Sequence, residues 1–244
     1  MTILRTACVL LLVALATPAG TAGAEPDKAG QSAEHEGERA GHAGHALSAE
    51  DVHRLHQDPA AYIAALEDPE RDKWQRPDRV IRALGIGEGQ SVADIGAGSG
   101  YFALRLARQV GPKGRVRAVD ISQDMLRHLE ARARKARLDN IQTIHAKPDD
   151  PMLAPSSVDL VFICDTWHHI EDRTRYLATL RPALRPGARV AVVDFHDREL
   201  PVGPPRSMKL SRETVVSEFA SAGFRLAEEY SFLPYQYFLV FEPG

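Results

Sequence analysis

The run Val92-Ala93-Asp94-Ile95-Gly96-Ala97-Gly98-Ser99-Gly100-Tyr101-Phe102 carries the densest chemical signal in this chain. An apolar strand there enters a glycine-rich turn, and a second apolar stretch downstream ends in Val119-Asp120. Strand, turn, helix and acid in that order build a crevice for an adenosine-bearing ligand at the carboxyl edge of a parallel sheet. The glycines fall at 96, 98 and 100, and Tyr101 stands where a dinucleotide fingerprint sets its third small residue. A phenol at that place blocks the close helix–strand packing the fingerprint needs. No lysine follows Gly100 directly, so the turn is not a phosphate-cradling loop either. Asp94 beside the turn repels phosphate and suits a ligand with an ammonium or sulfonium group. Asp120 is placed to accept hydrogen bonds from both ribose hydroxyls.

A second cluster is Cys164-Asp165-Thr166-Trp167-His168-His169, expected to leave the same sheet edge beside the glycine turn. His168 and His169 are the base candidates, because imidazole titrates near neutrality. Adjacent side chains point apart, so one of them at most faces a substrate. A base is needed only when the nucleophile carries a proton. Cys164 reads as a small buried apolar residue. His196 and Asp197 lead into the proline-rich stretch from Arg198 to Lys209, which reads either as a substrate cover or as a surface connection.

The elements that must position these residues follow from periodicity. Strands are expected near 91–95, 115–120, 141–145, 158–164 and 188–195, with helices near 100–110, 122–137 and 172–183. That alternation is an α/β, doubly wound parallel sheet with helices on both faces. A helix over 211–222 and strands over 223–230 and 235–241 complete the chain. Alternation puts Tyr235 and Tyr237 on one strand face and Gln236 on the other. Ahead of the sheet, Ser48 is expected to cap a helix reaching Glu67, with Val52, Leu55, Tyr62, Ile63 and Leu66 on it and Asp68-Pro69 ending it. A short helix from Pro77 to Leu84 follows.

Residues 1–24 read as a secretory signal: Arg5, an apolar run from Ala7 to Ala16, and Ala22-Gly23-Ala24 before Glu25. The run is too short to span a bilayer, so no membrane span is expected once it is removed, and a periplasmic address follows. Residues 25–47, rich in Ala, Gly, Glu and His, read as a disordered linker. The expected divisions are therefore 1–24, 25–47, a helical segment over 48–89 and a ligand-binding domain over 90–244. The net charge of −3 and the lack of a basic block give nucleic acid no foothold. The arginines between Arg127 and Arg137 read as a solvated helix face. Of the two cysteines, Cys8 leaves with the signal, so Cys164 forms no internal disulfide.

The segment from Trp74 to Phe195 resembles the class I S-adenosylmethionine-dependent methyltransferases. Val92–Phe102 is similar to their first motif and Ala118-Val119-Asp120-Ile121 to their ribose-binding acid. Asp159-Leu160-Val161-Phe162 opens their fourth motif, and Leu184 to Val190 resembles the turn before their fifth strand. The resemblance implies a seven-stranded sheet with an antiparallel last strand and S-adenosylmethionine as cofactor. It implies cofactor contacts from Asp94, Gly96, Ala97, Gly98, Gly100, Tyr101, Asp120 and Ile121. Asp149, with Asp150 second, is implied at the adenine amino group, Met125 against the adenine, and Asp165 beside the cofactor. The stretch Asp165 to His169 is similar to the Asn-x-x-His-His of the ubiquinone and menaquinone C-methyltransferases, with Asp165 in the asparagine's place and Trp167 adding bulk to the loop. Arg71 to Pro77 is expected to fold over the cofactor. The activity implied is methyl transfer to a small-molecule acceptor. The alternative is a non-catalytic binding protein on the same fold, with His35, His42, His45, His53 and His56 as metal ligands.

Overall fold

The expected alternation of strands and helices is present in the computed structural model, which describes residues 48, 50, 54 and 57–244. The seven strands are β1 (Ser91–Ile95), β2 (Arg115–Asp120), β3 (Ile141–His145), β4 (Val158–Cys164), β5 (Leu184–Phe195), β6 (Phe224–Tyr230) and β7 (Gln236–Pro243). They form one sheet in the order β3-β2-β1-β4-β5-β7-β6. β1 to β5 pair in parallel, and β7 runs antiparallel to both of its neighbours. The helices are α1 (Pro59–Leu66), α2 (Arg71–Gln75), α3 (Pro77–Leu84), α4 (Ala103–Val110), α5 (Gln123–Lys135), α6 (Arg173–Leu180) and α7 (Arg212–Ser221).

The central strands are buried on both faces, which is why they read as unbroken apolar runs. On one face Val80, Leu84, Leu106, Val110 and Leu129 of α3, α4 and α5 pack on Val92, Phe162, Val193 and Phe238. On the other, Leu177, Leu180, Val215 and Phe219 of α6 and α7 pack on Ile163, Val192, Leu239 and Phe241. Strand order reverses between β1 and β4, the place where such sheets open a crevice at their carboxyl ends.

Two elements depart from expectation. The helix expected to run unbroken to Glu67 stops at Asp58, although Glu50, Arg54 and Gln57 are helical. The Asp58 carboxylate accepts from the Ala60 and Ala61 amides at 3.0 and 3.1 Å, and Pro59 opens α1. An Asp cap followed by proline starts a new helix and overrides the apolar period that crosses it. β5 begins at Leu184 rather than 188, because the Arg185-Pro186-Gly187 turn is absorbed as a register shift opposite Val158 and Leu160. Residues 1–47, with the expected signal and linker, lie outside the described residues, as do His53 and His56. No described helix is long and apolar enough to cross a membrane.

Candidate active site

The glycine turn sits at the switch point and is held from three sides. Gly96 has φ +70°, and a Cβ there would lie 2.1 Å from the Thr166 hydroxyl, so the loop after β4 occupies the space a side chain would need. The Gly98 amide donates to Asp120 Oδ2 at 2.8 Å, while the Ser122 amide donates to Oδ1 at 2.8 Å. Arg132 of α5 donates to the Ser99 carbonyl at 2.8 Å. Asp120 thus orients the turn, and its remaining lone pairs are left for a ligand.

Asp94 is only 3% exposed, and its Oδ2 has no hydrogen-bond partner among the described residues. Ser99 Oγ, in the turn itself, is in the same state. Burial first, then the neighbouring Asp120, pushes the Asp94 carboxyl up to about 8, against Arg71 and a backbone hydrogen bond from Ala103. Asp120 is also raised by burial, which outweighs the amide hydrogen bonds it accepts. A buried, unsatisfied acceptor costs about 1–3 kcal/mol. A cationic ligand group beside Asp94 removes that cost and restores the carboxylate.

Two short helices roof the turn. Leu66 Cδ1 comes within 3.2 Å of where a Gly98 Cβ would sit. Glu67, which caps α1, pairs with His128 at 2.7 Å and Arg132 at 3.0 Å, tying the roof to α5. Arg71 of α2 reaches Asp165 Oδ2 at 3.0 Å and lies 4.2 Å over the Tyr101 ring. Gln236 Nε2 donates to the other Asp165 oxygen, and Gln75 Nε2 donates to Gln236 Oε1 at 2.8 Å. Burial raises Asp165 to about 6, with Arg71 opposing. The Tyr101 hydroxyl donates to Asp72 rather than into the crevice. Burial, with Asp120 adding, lifts Tyr62 of α1 to about 12. Arg71 therefore reaches across to the loop after β4 and to Tyr101.

The two histidines part company. His168 Nδ1 faces both oxygens of Asp194, at 2.8 and 3.0 Å, with side-chain exposures of 2% and 1%. The His168 amide donates to Asp194 Oδ2 at 3.2 Å. Burial pulls the imidazole down, but the charge and hydrogen bond of Asp194 overcome it, and the net shift is upward. His169 is exposed, its ring centroid 4.1 Å from that of His168. Trp167 does not add bulk to the loop: it is fully buried against Tyr176 and Phe219, and its Nε1 donates to Glu218. Nothing in the motif spacing points to Asp194. The available signal is an acid set in the apolar run Val190–Phe195.

The remaining expected residues spread around the rim. Ile121 follows Asp120 with 61% exposure, Ala97 lies in the turn, and Met125 is buried under the first turn of α5. Asp149 pairs with Arg175 of α6 at 3.0 Å, and Asp150 accepts from the Met152 amide at 2.7 Å. The stretch from Arg198 to Lys209 folds back on Phe195: Gly203 abuts its ring, and Lys209 Nζ lies 5.9 Å above it. Tyr235, which lies just before β7, approaches Trp74, so the shared face expected for Tyr235 and Tyr237 is not formed by one strand; Tyr237 packs in the layer of Leu239 and Phe241. Among the described residues no group of three or more His, Cys, Asp or Glu is arranged to hold a metal.

Residues 92–187 match a family described as a methyltransferase domain. A demethylmenaquinone methyltransferase of Listeria welshimeri is 25% identical over 129 residues, 53% of this chain and 54% of that protein. One of Staphylococcus aureus is 26% identical over 157 residues, 63% of this chain and 64% of that protein. The chain spans about half the length of the first of these relatives. A solved S-adenosylmethionine-dependent methyltransferase of Aquifex aeolicus superposes with a TM-score of 0.72 at 28% identity, over 75% of this chain and 97% of that one. Residues 92–187 thus match a methyltransferase domain, and the fold is similar to that of a solved S-adenosylmethionine-dependent methyltransferase. The site of this chain fits that cofactor: an orphaned buried carboxylate oxygen at Asp94 suits the cationic end, and Asp120 suits the ribose.

Proposed function

We propose that this chain transfers a methyl group from S-adenosylmethionine to a small-molecule acceptor. The observation that carries the reading is the buried Asp94 oxygen, without a partner among the described residues, beside a glycine turn clasped by Asp120. The cofactor supplies an electrophilic methyl on a sulfonium. The protein's work is then positioning, the main help such a displacement takes. Asp94 holds the cationic ammonium end. Asp120 accepts from the ribose hydroxyls with its free lone pairs, and its grip on Gly98 ties that contact to the shape of the turn. Ile121, 61% exposed, offers apolar surface for the adenine, with the buried Met125 behind it in α5. Leu66, Tyr62 and Arg71 close the roof and keep water away from the reacting centre. The likeness to demethylmenaquinone methyltransferases supports a small-molecule acceptor. Residues 1–24 support an exported, periplasmic enzyme.

Calorimetry with S-adenosylhomocysteine tests the reading. The wild-type chain is expected to bind it, and Asp120→Ala to weaken binding at least about tenfold, since hydrogen bonds to a charged acceptor contribute roughly 1.5–3 kcal/mol each. No binding by the wild type overturns it.

A further inference from the structure

We propose that Asp194 is the positioning residue that makes His168 a general base, so the acceptor carries a weakly acidic hydroxyl of the phenolic or enolic kind. The inference rests on the methyl-transfer reading above.

The geometry leaves the imidazole little choice. Both Asp194 oxygens meet Nδ1, and the His168 amide is anchored to the same carboxylate. Asp194 is itself fixed by the Phe195 amide at 2.8 Å. A carboxylate so placed holds the proton on Nδ1 and turns the lone pair onto Nε2. Among the described residues no protein group bonds to Nε2. The charged groups around the ring are Asp194 from β5, Asp165 from the loop after β4, and Lys209 from the loop after β5, with the His169 ring tilted beside it. A buried ion pair is a poor device for stability, and an apolar pair would serve strand β5 as well. Its presence in the otherwise apolar run Val190–Phe195 points to chemistry. The partly exposed Trp74 ring lies 5.8 Å from Phe195, the residue after Asp194, and 6.4 Å from the partly exposed Tyr235 ring, centroid to centroid. These aromatic faces suit a flat ring.

The step balances. The acceptor O–H bond breaks and its proton passes to Nε2. The oxygen's electron pair forms the new O–C bond to the methyl carbon. The electrons of the broken C–S bond stay on sulfur as a neutral thioether. His168 becomes an imidazolium faced by Asp194, then returns its proton to solvent. An imidazole base is matched to a hydroxyl of phenolic acidity, with pKa about 10, rather than to an aliphatic alcohol.

The test uses the full chain with nitrogen-15-labelled histidine, and His168→Gln identifies the resonance. Neutral His168 is expected in the Nδ1–H form, and Asp194→Asn is expected to lower its titration midpoint by a unit or more. Both variants are expected to keep S-adenosylhomocysteine binding by calorimetry. Methyl transfer to catechol is expected to rise with pH to a plateau in the wild type. It is expected to fall at least tenfold in both variants, with the rise displaced in Asp194→Asn. An unchanged tautomer and midpoint in Asp194→Asn overturns the proposal, as does catechol methylation indifferent to either substitution. No transfer to catechol by a chain that binds S-adenosylhomocysteine overturns the acceptor class. Failure of the wild type to bind S-adenosylhomocysteine is a separate result, and it removes the methyl-transfer reading itself.

Discussion

Asp94 holds a cation only as a carboxylate, yet its pKa in the free protein stands near 8 because burial and Asp120 disfavour the charge. Below that pH, a cationic ligand must first displace a proton. Affinity for S-adenosylhomocysteine is therefore expected to rise with pH until about 8, by up to tenfold per unit, and then to level off. Calorimetry across that range in buffers of different ionisation enthalpy would count the proton released. A flat profile in the wild type, or an unchanged slope in Asp94→Asn, would contradict the argument. Asp94 and Asp120 were legible in the sequence because their places are set by spacing from the glycine turn. Asp194 and Gln236 were not, since each meets its partner across the sheet: Asp194 finds His168, and Gln236 finds Asp165. Spacing along a chain carries no record of a contact made between strands distant in sequence.

At the scale of elements, the roof of α1 and α2 is fastened at two points: Glu67 on α5, and Arg71 on Asp165. Arg71→Met removes the cation from a largely buried carboxylate that burial already penalises. Breaking a fully buried pair costs about 3–5 kcal/mol, and residual exposure reduces that here. The expected outcome is a loosened roof: chymotrypsin cleaves within residues 59–75 faster in the variant, and S-adenosylhomocysteine protects the wild type more than the variant. Equal cleavage rates would show that the ion pair does not fasten these helices. Strands β1 to β4 and the helix from Pro77 to Leu84 were legible because length, periodicity and flanking breakers agree. The break at Asp58 was hidden because the apolar period continues across it, although Asp-Pro is itself a start signal. α2 has five residues, too few to show any period.

For the whole molecule, the doubly wound sheet buries two apolar layers drawn from residues between Val80 and Phe241. The leader reading is independent of that packing. Mass spectrometry of the chain recovered from the exported fraction is expected to find Glu25 as the first residue. A chain retained in the cytosol with residues 1–24 attached would refute the export proposal. β7 is the seventh strand in chain order, yet it slots between β5 and β6 and brings Gln236 to Asp165. During synthesis the loop after β4 therefore waits for a partner made more than sixty residues later, since Gln236 lies 71 positions beyond Asp165. A nascent chain carrying all of its recognition motifs still lacks a finished receptacle, and it acquires one only when its interior strand has been threaded into place.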